Sequence, residues 1–244
     1  MDGFADTLWI GAAAQLLQSL LGAGYGASAA SMLLACGMPP LLVSASTHAS
    51  GVSTQGVAAL THWRLGNFDP ASLRRLAGFG VLGALCGLVL ALWVPTAWLS
   101  VGMAAYLLLL GGWLLWQPLR RTREPAPTGS GWRGFLAGLL DAGGGGGWAT
   151  LTRDVHAPND LQARRAEASS HAAAFLVSAV TCTVLLIALG GIPAGPVLGL
   201  LAGAVLAAPI AAQLGGRVRP PLAAGVVGSV VAALAVVGLL RALG

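Results

Sequence analysis

The segment Asp141-Ala142-Gly143-Gly144-Gly145-Gly146-Gly147-Trp148 places five consecutive glycines inside an otherwise apolar stretch. Because glycine lacks a Cβ atom, each one costs a helix about 1 kcal/mol relative to alanine and permits positive φ angles. The run therefore predicts a helix break between residues 132–142 and 148–155. Broken backbone among apolar residues is tolerated in a membrane where it lines a cavity or is buried in protein.

A shorter glycine motif, Gly22-Ala23-Gly24-Tyr25-Gly26, interrupts a second apolar segment. It predicts two short helices, at about residues 8–21 and 27–36. Paired glycine-interrupted segments in two halves of one chain are typical of transporter binding sites. The alternative interpretation, a phosphate-binding loop, needs a Lys followed by Ser or Thr after the last glycine. The chain contains no Lys, so this alternative is not favoured.

The composition predicts an integral membrane protein. Hydrophobic residues make up 56% of the 244 residues and charged residues only 9%, whereas soluble domains carry about 25% charged residues. The long, non-alternating apolar runs favour helices over a β-barrel, and no secretory signal is expected at the acidic start. We interpret the net charge of +5 as a topology signal and predict no nucleic-acid partner. No metal-ligand spacing is present, and no metal or cofactor is expected.

An internal repeat relates the two halves. Ala45-Ser46-Thr47-His48-Ala49 matches Ala168-Ser169-Ser170-His171-Ala172 at an offset of about 123 residues, which indicates a duplicated transporter fold. We predict a first repeat at 1–118, a cytoplasmic linker at 119–131 and a second repeat at 132–244. Each repeat is expected to contain a re-entrant pair of short helices and three transmembrane helices, at about residues 8–36, 41–63, 76–94 and 96–116, and again at about 132–155, 161–188, 197–214 and 222–243.

The arginines predict the topology, because basic residues near helix ends favour the cytoplasm. If both broken pairs re-enter, each half crosses three times, the halves are inverted, and twelve of the thirteen arginines lie inside. If both pairs cross fully, eight crossings leave only eight arginines inside. The first arrangement is favoured. It makes the protein a multi-pass chain whose N-terminus lies outside the cytoplasm, which in a bacterium is the periplasmic side of the cytoplasmic (inner) membrane.

In this arrangement the two breaks meet near mid-membrane, where the helices after Gly26 and Gly147 begin. Helix N-termini carry unpaired N–H groups and partial positive charge, which suits a small anion. His48 and His171 lie in the same local context of the two polar helices and add donors. The candidate substrate-binding residues are Gly24, Tyr25, Gly26, Ser44, Ser46, Thr47, His48, Gln55, Gly145, Gly146, Gly147, Trp148, Ser170 and His171.

Several of these residues have a structural alternative. Asp141, His48 and His171 are candidates for proton coupling, but Asp141 is equally suited to cap N–H groups of the break. The histidines are equally suited to inter-helix hydrogen bonds, and the small hydroxyl residues to packing. Tyr25 and Trp148 either line the cavity or pack as core aromatics. Arg153, Asp154, Arg164, Arg165 and Glu167 form either ion pairs or an electrostatic funnel for an anion.

Four segments carry a family resemblance, namely 22–26, 43–49, the loop His62-Trp63-Arg64-Leu65-Gly66-Asn67, and 140–148. They resemble the TauE/SafE sulfite-exporter family of bacterial membrane permeases over nearly the whole chain. The resemblance implies transport of a small sulfur-containing anion such as sulfite, thiosulfate or an organosulfonate. The chain departs from the family in lacking the usual Pro a few residues past each break, and in the many charges between Arg153 and Glu167.

The sequence therefore predicts a secondary transporter rather than an enzyme. An anion channel of the same fold is the first alternative. An intramembrane hydrolase using Ser169 or Ser170 with His171 is disfavoured, because adjacent helical residues point in different directions. The expected partners are the anion and the lipid bilayer. The flux direction, the coupling ion and the oligomeric state stay open.

Overall fold

The computed structural model describes residues 3–22, 24–116, 130–152, 160–214 and 217–244. Within these ranges the chain forms ten α-helices and no β-strand, as the prediction of an all-α protein requires. The helices are α1 (Phe4–Leu21), α2 (Tyr25–Ala35), α3 (Pro40–Arg64), α4 (Pro70–Trp93), α5 (Thr96–Trp116), α6 (Gly131–Gly144), α7 (Trp148–Thr152), α8 (Asp160–Ala188), α9 (Ala194–Leu214) and α10 (Pro220–Leu243). The predicted linker at 119–131 lies almost entirely outside the described residues.

Five helices are long and apolar enough to cross a membrane, namely α4, α5, α8, α9 and α10. Their outer faces carry large apolar side chains such as Trp98, Leu109 and Ile187, which are 71%, 74% and 76% exposed. At 25 residues and 1.5 Å per residue, α3 spans about 37 Å and also has the length to cross. Its serines, threonines and His48 lower its hydropathy, and most of them are buried between helices. The prediction of a multi-pass helical membrane protein is confirmed.

Helix α4 begins earlier than the predicted residue 76, because residues 69–70 provide a strong start signal. Asp69 is the N-cap, and its carboxylate accepts hydrogen bonds from the backbone N–H groups of Ala71 and Ser72, at 3.1 and 3.3 Å. Pro70 follows at the first helical position, where its missing N–H costs nothing. The Ser72 hydroxyl also donates to Asp69, and these bonds hold the pKa of this carboxyl below its usual value.

Replacing this cap tests the local account. Asp69→Ala is expected to lower the free energy of unfolding by about 1 kcal/mol, the usual contribution of an N-cap. Asp69→Asn is the matched control, because asparagine keeps one oxygen that can accept a backbone N–H group and is also a favoured N-cap residue. Since the folded-state pKa is lowered, the carboxylate's stabilisation is present above the unfolded pKa and is lost as the pH falls through the folded value. Equal thermal unfolding temperatures for Asp69→Ala and the wild type in detergent would contradict this role.

Two helix pairs pack with their backbones in contact through glycines. In the pair α1–α9, a Cβ atom on Gly203 would lie 1.9 Å from the carbonyl oxygen of Leu8. In the pair α4–α6, a Cβ atom on Gly138 would lie 2.0 Å from the carbonyl oxygen of Gly80. Close approach at small residues is the usual way that membrane helices associate. At the predicted repeat offset of about 123 residues, α1 corresponds to α6 and α9 to α4, so the predicted repeat would relate the two pairs.

The long polar helices α3 and α8 run antiparallel at the centre of the molecule. Gly51 of α3 lies against Ser178 of α8, whereas Gln55, one turn later, bonds His171, two turns earlier. Beyond the end of α3, the backbone of Asp69 reaches Ser169. The order of contacts is therefore reversed along the two helices.

Each broken helix pair returns to the end of the molecule from which it starts. At one end, Gly3 before α1 lies against Pro196, and Gly37 after α2 lies against Arg241. The same end holds the pocket lined by Pro39, Thr96 and Gly191. At the other end, the first turn of α6 packs on Leu76 and Phe79 of α4, and Thr152 of α7 bonds Ser170, which is next to the Ser169 that bonds Asp69. The two hairpins thus enter from opposite ends.

Candidate functional site

Each break contains two glycines with positive φ angles, and one residue separates them in the sequence. Gly22 (φ 70°) and Gly24 (φ 103°) form the first break, and Gly145 (φ 71°) and Gly147 (φ 127°) form the second. These angles disfavour any residue with a Cβ atom. The five-glycine run does not break the helix where the sequence predicts: α6 continues through Gly144 instead of ending at residue 142. Glycine permits a helix as well as a turn, so only the last three glycines are non-helical.

The two breaks contact each other through their backbones. A Cβ atom on Gly146 would lie 2.1 Å from the carbonyl carbon of Gly26 and 2.4 Å from the nitrogen of Ala27. In the other direction, a Cβ atom on Gly26 would lie 3.0 Å from the Cα atom of Gly146. The structure therefore brings the two glycine motifs to one place between the hairpins, and only glycine fits at residue 146.

A cavity of about 60 Å³ lies beside this contact. This is well above the roughly 10–15 Å³ that a cavity needs to hold a water molecule. Polar and small residues of both halves line it: Gln18, Gly22, Gly24, Tyr25, Gly26, Thr47, His48, Gly51, Thr54, Gln55, Asp141, Gly145, Gly146, Gly147, Trp148, Ala149, His171, Ala174 and Ser178. Among these residues there is no arginine.

A second cavity of about 120 Å³ adjoins the first and shares Gly22, Gln55, Trp148 and His171 with it. It adds Thr152, Glu167 and Ser170, which lie toward the end of the molecule that holds Asp69. We call this second cavity the vestibule. It provides a polar route from that end to the contact between the two breaks.

His48 is buried, with its side chain 4% exposed, and both ring nitrogens are bonded within the protein. Nε2 lies 3.1 Å from the backbone carbonyl of Asp141 and Nδ1 lies 3.2 Å from the Ser178 hydroxyl. Since a carbonyl only accepts, Nε2 donates, and Nδ1 of the neutral ring accepts from Ser178. The Asp141 carboxylate lies 3.8 Å from Nε2. His48 thus makes the inter-helix hydrogen bonds of the structural alternative while it lines the cavity.

His171 occupies the equivalent position with a more open environment. Its Nδ1 lies 2.6 Å from the side-chain oxygen of Gln55, and its ring stacks on His62 with centroids 5.8 Å apart. Its side chain is 22% exposed, and Nε2 lies 3.9 Å from the Glu167 carboxylate. Gln55 and Ser178 are related by the same 123-residue offset as the two histidines. Each half therefore pairs its histidine with the corresponding residue of the other half.

Asp141 caps the second break. One carboxylate oxygen accepts the backbone N–H of Trp148 at 2.9 Å, and the Asp141 carbonyl accepts from Gly145 at 2.8 Å. This changes the predicted picture of two free helix N-termini. The helix after the second break, α7, is described over Trp148–Thr152, and its first N–H is bonded to a carboxylate. The predicted residues 153–155 lie outside the described part of the chain.

The two aromatic residues next to the breaks line the cavity and are also packed. The Tyr25 hydroxyl lies 3.2 Å from the Ser50 hydroxyl and 3.3 Å from the Leu200 carbonyl. Trp148 lies against Gly80, and its indole N–H donates to the carbonyl and hydroxyl oxygens of Ser170, at 3.1 and 3.2 Å. Both predicted alternatives, lining and core packing, therefore apply to each residue.

With this geometry, comparison with known proteins identifies the family. A family model described as sulfite exporter TauE/SafE matches residues 7–238. The chain belongs to the TauE/SafE family. It is also 31% identical over 237 residues to the probable membrane transporter protein YtnM of Bacillus subtilis (strain 168). This match covers 90% of the present chain and 77% of YtnM. No solved structure matches the chain.

Membership of the TauE/SafE family confirms a membrane transporter rather than an enzyme. Most of the residues that the sequence singles out border one of the two cavities of this family member. Two do not. Ser44 donates to the Ala142 carbonyl at 2.6 Å and joins α3 to α6, and Ser46 is fully buried outside the cavity lining. Arg153 and Asp154 of the predicted charged cluster lie outside the described residues.

Sequence analysis does not find Gln18, Thr54 and Tyr106, although the structure places them at the site. Gln18 and Thr54 line the cavity. Tyr106 of α5 lies beside Gly144 and Gly147, and its hydroxyl donates to the Gly146 carbonyl at 2.9 Å. The repeat offset that relates His48 to His171 also relates Gln18 to Asp141, which is a signal for Gln18. No sequence signal marks Tyr106 in its plain apolar helix.

Tyr106→Phe tests the support of the second break by α5. The change keeps the ring that packs on Gly144 and removes only the hydroxyl that bonds the Gly146 carbonyl. We expect the free energy of unfolding to fall by about 1 kcal/mol, the usual net value of one hydrogen bond. Thermal unfolding in detergent measures this, with the exposed ring of Trp98 replaced by Phe as the control. An unchanged midpoint in Tyr106→Phe would show that the hydroxyl does not hold the break.

Proposed function

We propose that this TauE/SafE family member is a secondary transporter of a small sulfur-containing anion: sulfite, thiosulfate or an organosulfonate. The observation that carries the proposal is the contact between two glycine breaks from opposite hairpins, beside a cavity that both halves line with polar groups. Sulfur as the central atom comes from the family description, sulfite exporter TauE/SafE. The size of the cavity, about 60 Å³, suits an anion of a few heavy atoms.

The anion is proposed to bind at mid-membrane, held by neutral donors. Helix α2 begins at Tyr25 and directs its first N–H groups toward the junction of the breaks. Side-chain donors come from α1 and α3, through the amide N–H groups of Gln18 and Gln55. Neutral N–H and O–H groups in a low-dielectric site can stabilise an anion without a buried Lys or Arg. Asp141, with His48 beside it, is the proposed group for proton coupling.

The two halves are proposed to be inverted repeats. Support comes from three observations: α3 and α8 occupy equivalent positions and run antiparallel, the hairpins enter from opposite ends, and the pairs α1–α9 and α6–α4 are equivalent. An inverted duplication produces these relations. It also allows the anion to reach the same site from either side, by movement of one half against the other.

The proposed orientation places the end with Arg64, Arg74 and Arg75 in the cytoplasm of a bacterial inner membrane, and the start of α1 in the periplasm. A variant without Cys36, Cys86 and Cys182 provides a cysteine-free background for testing this orientation. In that background, Leu65→Cys and Thr96→Cys each introduce one cysteine, at exposed positions near opposite ends of the molecule. An impermeant maleimide added to whole cells is expected to label the cysteine at residue 96 and to spare the one at residue 65. The reverse labelling would overturn the orientation.

Flux into proteoliposomes tests the proposed function directly. Purified protein is reconstituted and uptake of labelled sulfite, methanesulfonate and thiosulfate is measured, with protein-free liposomes as the control. Saturable uptake of at least one of these anions is expected, and no uptake of any of them would overturn the proposal. Recording from the same preparation in planar bilayers separates the alternative: unitary current steps would show an anion channel instead of a transporter.

A further inference from the structure

Gln18 is the residue of the site that carries an unused donor. It lies in the last turn of α1, next to the break at Gly22, and it lines the cavity. Its side-chain amide forms no hydrogen bond with any residue that the structure describes. A partly buried amide that lines a polar cavity has N–H groups free to donate to what enters it.

The repeat pairs Gln18 with Asp141. The two residues are separated by the same offset as Gly22 and Gly145, the glycines that begin the two breaks. One half therefore places a neutral amide beside its break, and the other half places a carboxylate there. The backbone geometry around them is alike, with φ angles of 70° and 71° at the two glycines. The chemical difference between the halves lies in this pair.

The charges around the cavity disfavour a doubly charged ligand. The groups that face Asp141 are His48 from α3, the Tyr106 hydroxyl from α5, and the backbone N–H of Trp148 from α7. His171 and Glu167 of α8 lie farther along, at the vestibule. No arginine lines either cavity in the described part of the chain. A dianion is repelled twice as strongly as a monoanion by one carboxylate, and its desolvation cost rises with the square of its charge.

We propose that Gln18 binds the transported anion through its amide N–H, and that the pair Gln18–Asp141 restricts the site to singly charged anions. The favoured substrates are then sulfonates and hydrogen sulfite, and the disfavoured ones are thiosulfate and sulfate, which are dianions at neutral pH. This inference rests on the proposed function and narrows its substrate class. In this account Asp141 sets the charge limit and Gln18 supplies the neutral donor at the corresponding position of the first half.

The wild-type protein provides the first test, in proteoliposomes at neutral pH. Uptake of labelled methanesulfonate, a monoanion at every accessible pH, is measured with unlabelled thiosulfate or sulfate as competitor. We expect a preference of about tenfold or more for the monoanion, equivalent to about 1.4 kcal/mol. Equal competition by monoanion and dianion would overturn the inference and leave the proposed function intact. No uptake of either anion would instead overturn the proposed function.

Three variants assign the preference to this pair. Gln18→Glu adds a second carboxylate and is expected to reduce methanesulfonate uptake about tenfold or more, whereas Gln18→Asn, which keeps a shorter amide, reduces it less. Asp141→Asn removes the charge but retains an oxygen for the Trp148 N–H, and it is expected to raise thiosulfate uptake relative to methanesulfonate. Thermal unfolding verifies that each variant is folded. Wild-type uptake in a folded Gln18→Glu protein, or an unchanged anion ratio in a folded Asp141→Asn protein, would refute the inference.

Discussion

Gly146→Ala is expected to abolish transport and to lower the free energy of unfolding by about 3 kcal/mol or more, at the upper end of the cost of overpacking. The new Cβ atom would lie 2.1 Å from the carbonyl carbon of Gly26 and 2.4 Å from the nitrogen of Ala27. Both neighbours are backbone atoms at the start of α2, so no side-chain rotation can relieve the overlap. The two breaks would have to separate, and the cavity beside them would lose its shape.

The same glycine run provides a matched control. A Cβ atom on Gly143 would meet only the Gly87 carbonyl oxygen, at 3.9 Å, and Gly143 lies within helix α6. Gly143→Ala is therefore expected to stabilise the protein, by up to about 1 kcal/mol from helix propensity, and to leave transport unchanged. The two substitutions lie three residues apart in the sequence, and each adds one methyl group to the wild-type protein. Equal stability and equal transport of the two proteins would contradict the contact between the breaks.

This difference between two glycines also shows what the sequence can and cannot predict. Five glycines in an apolar segment predict a break, because each one weakens a helix. They do not predict which glycine carries it, since glycine adopts helical and left-handed angles alike. Gly143 and Gly144 stay helical, and Gly145 takes a φ of 71°. The choice depends on where the first break and Tyr106 lie, which is tertiary information.

Helical periodicity predicts the polar face of α3 but not the depth at which the cavity begins. Ser44 and His48 are one turn apart and share a face, and the sequence places both in the site. The structure places His48 in the cavity lining, whereas the Ser44 hydroxyl bonds the carbonyl of Ala142 outside that lining. The spacing of residues along one helix determines which way their side chains point. Which of those side chains reach the cavity depends on the helices that pack against that face. The repeat is the stronger signal, because the fixed offset relates residues of the two halves that line the same cavity.

The two histidines related by that offset lead to the second large effect. His48→Ala is expected to reduce the transport rate about 100-fold, because it removes the ring that joins Ser178 to Asp141 beside the cavity and leaves the Ser178 hydroxyl without its partner. Each unsatisfied buried group costs about 1–3 kcal/mol, and 1.4 kcal/mol corresponds to a factor of ten. The His48 side chain is 4% exposed, so water replaces the lost bonds less readily than at His171, which is 22% exposed. The free energy of unfolding is expected to fall with it, by about 2 kcal/mol or more.

His171→Ala is the matched comparison, since it changes the equivalent residue of the other half. Its side chain is 22% exposed at the vestibule, and water can reach Gln55 after the ring is removed. We therefore expect a smaller loss, of about tenfold or less, from the lost contact with the anion. Initial rates of uptake in proteoliposomes, with thermal unfolding of the same samples, measure both variants. His171→Ala could instead prove the more damaging change in both measurements. The vestibule histidine would then control the site. The buried network of His48, Asp141 and Ser178 would then have no influence on transport.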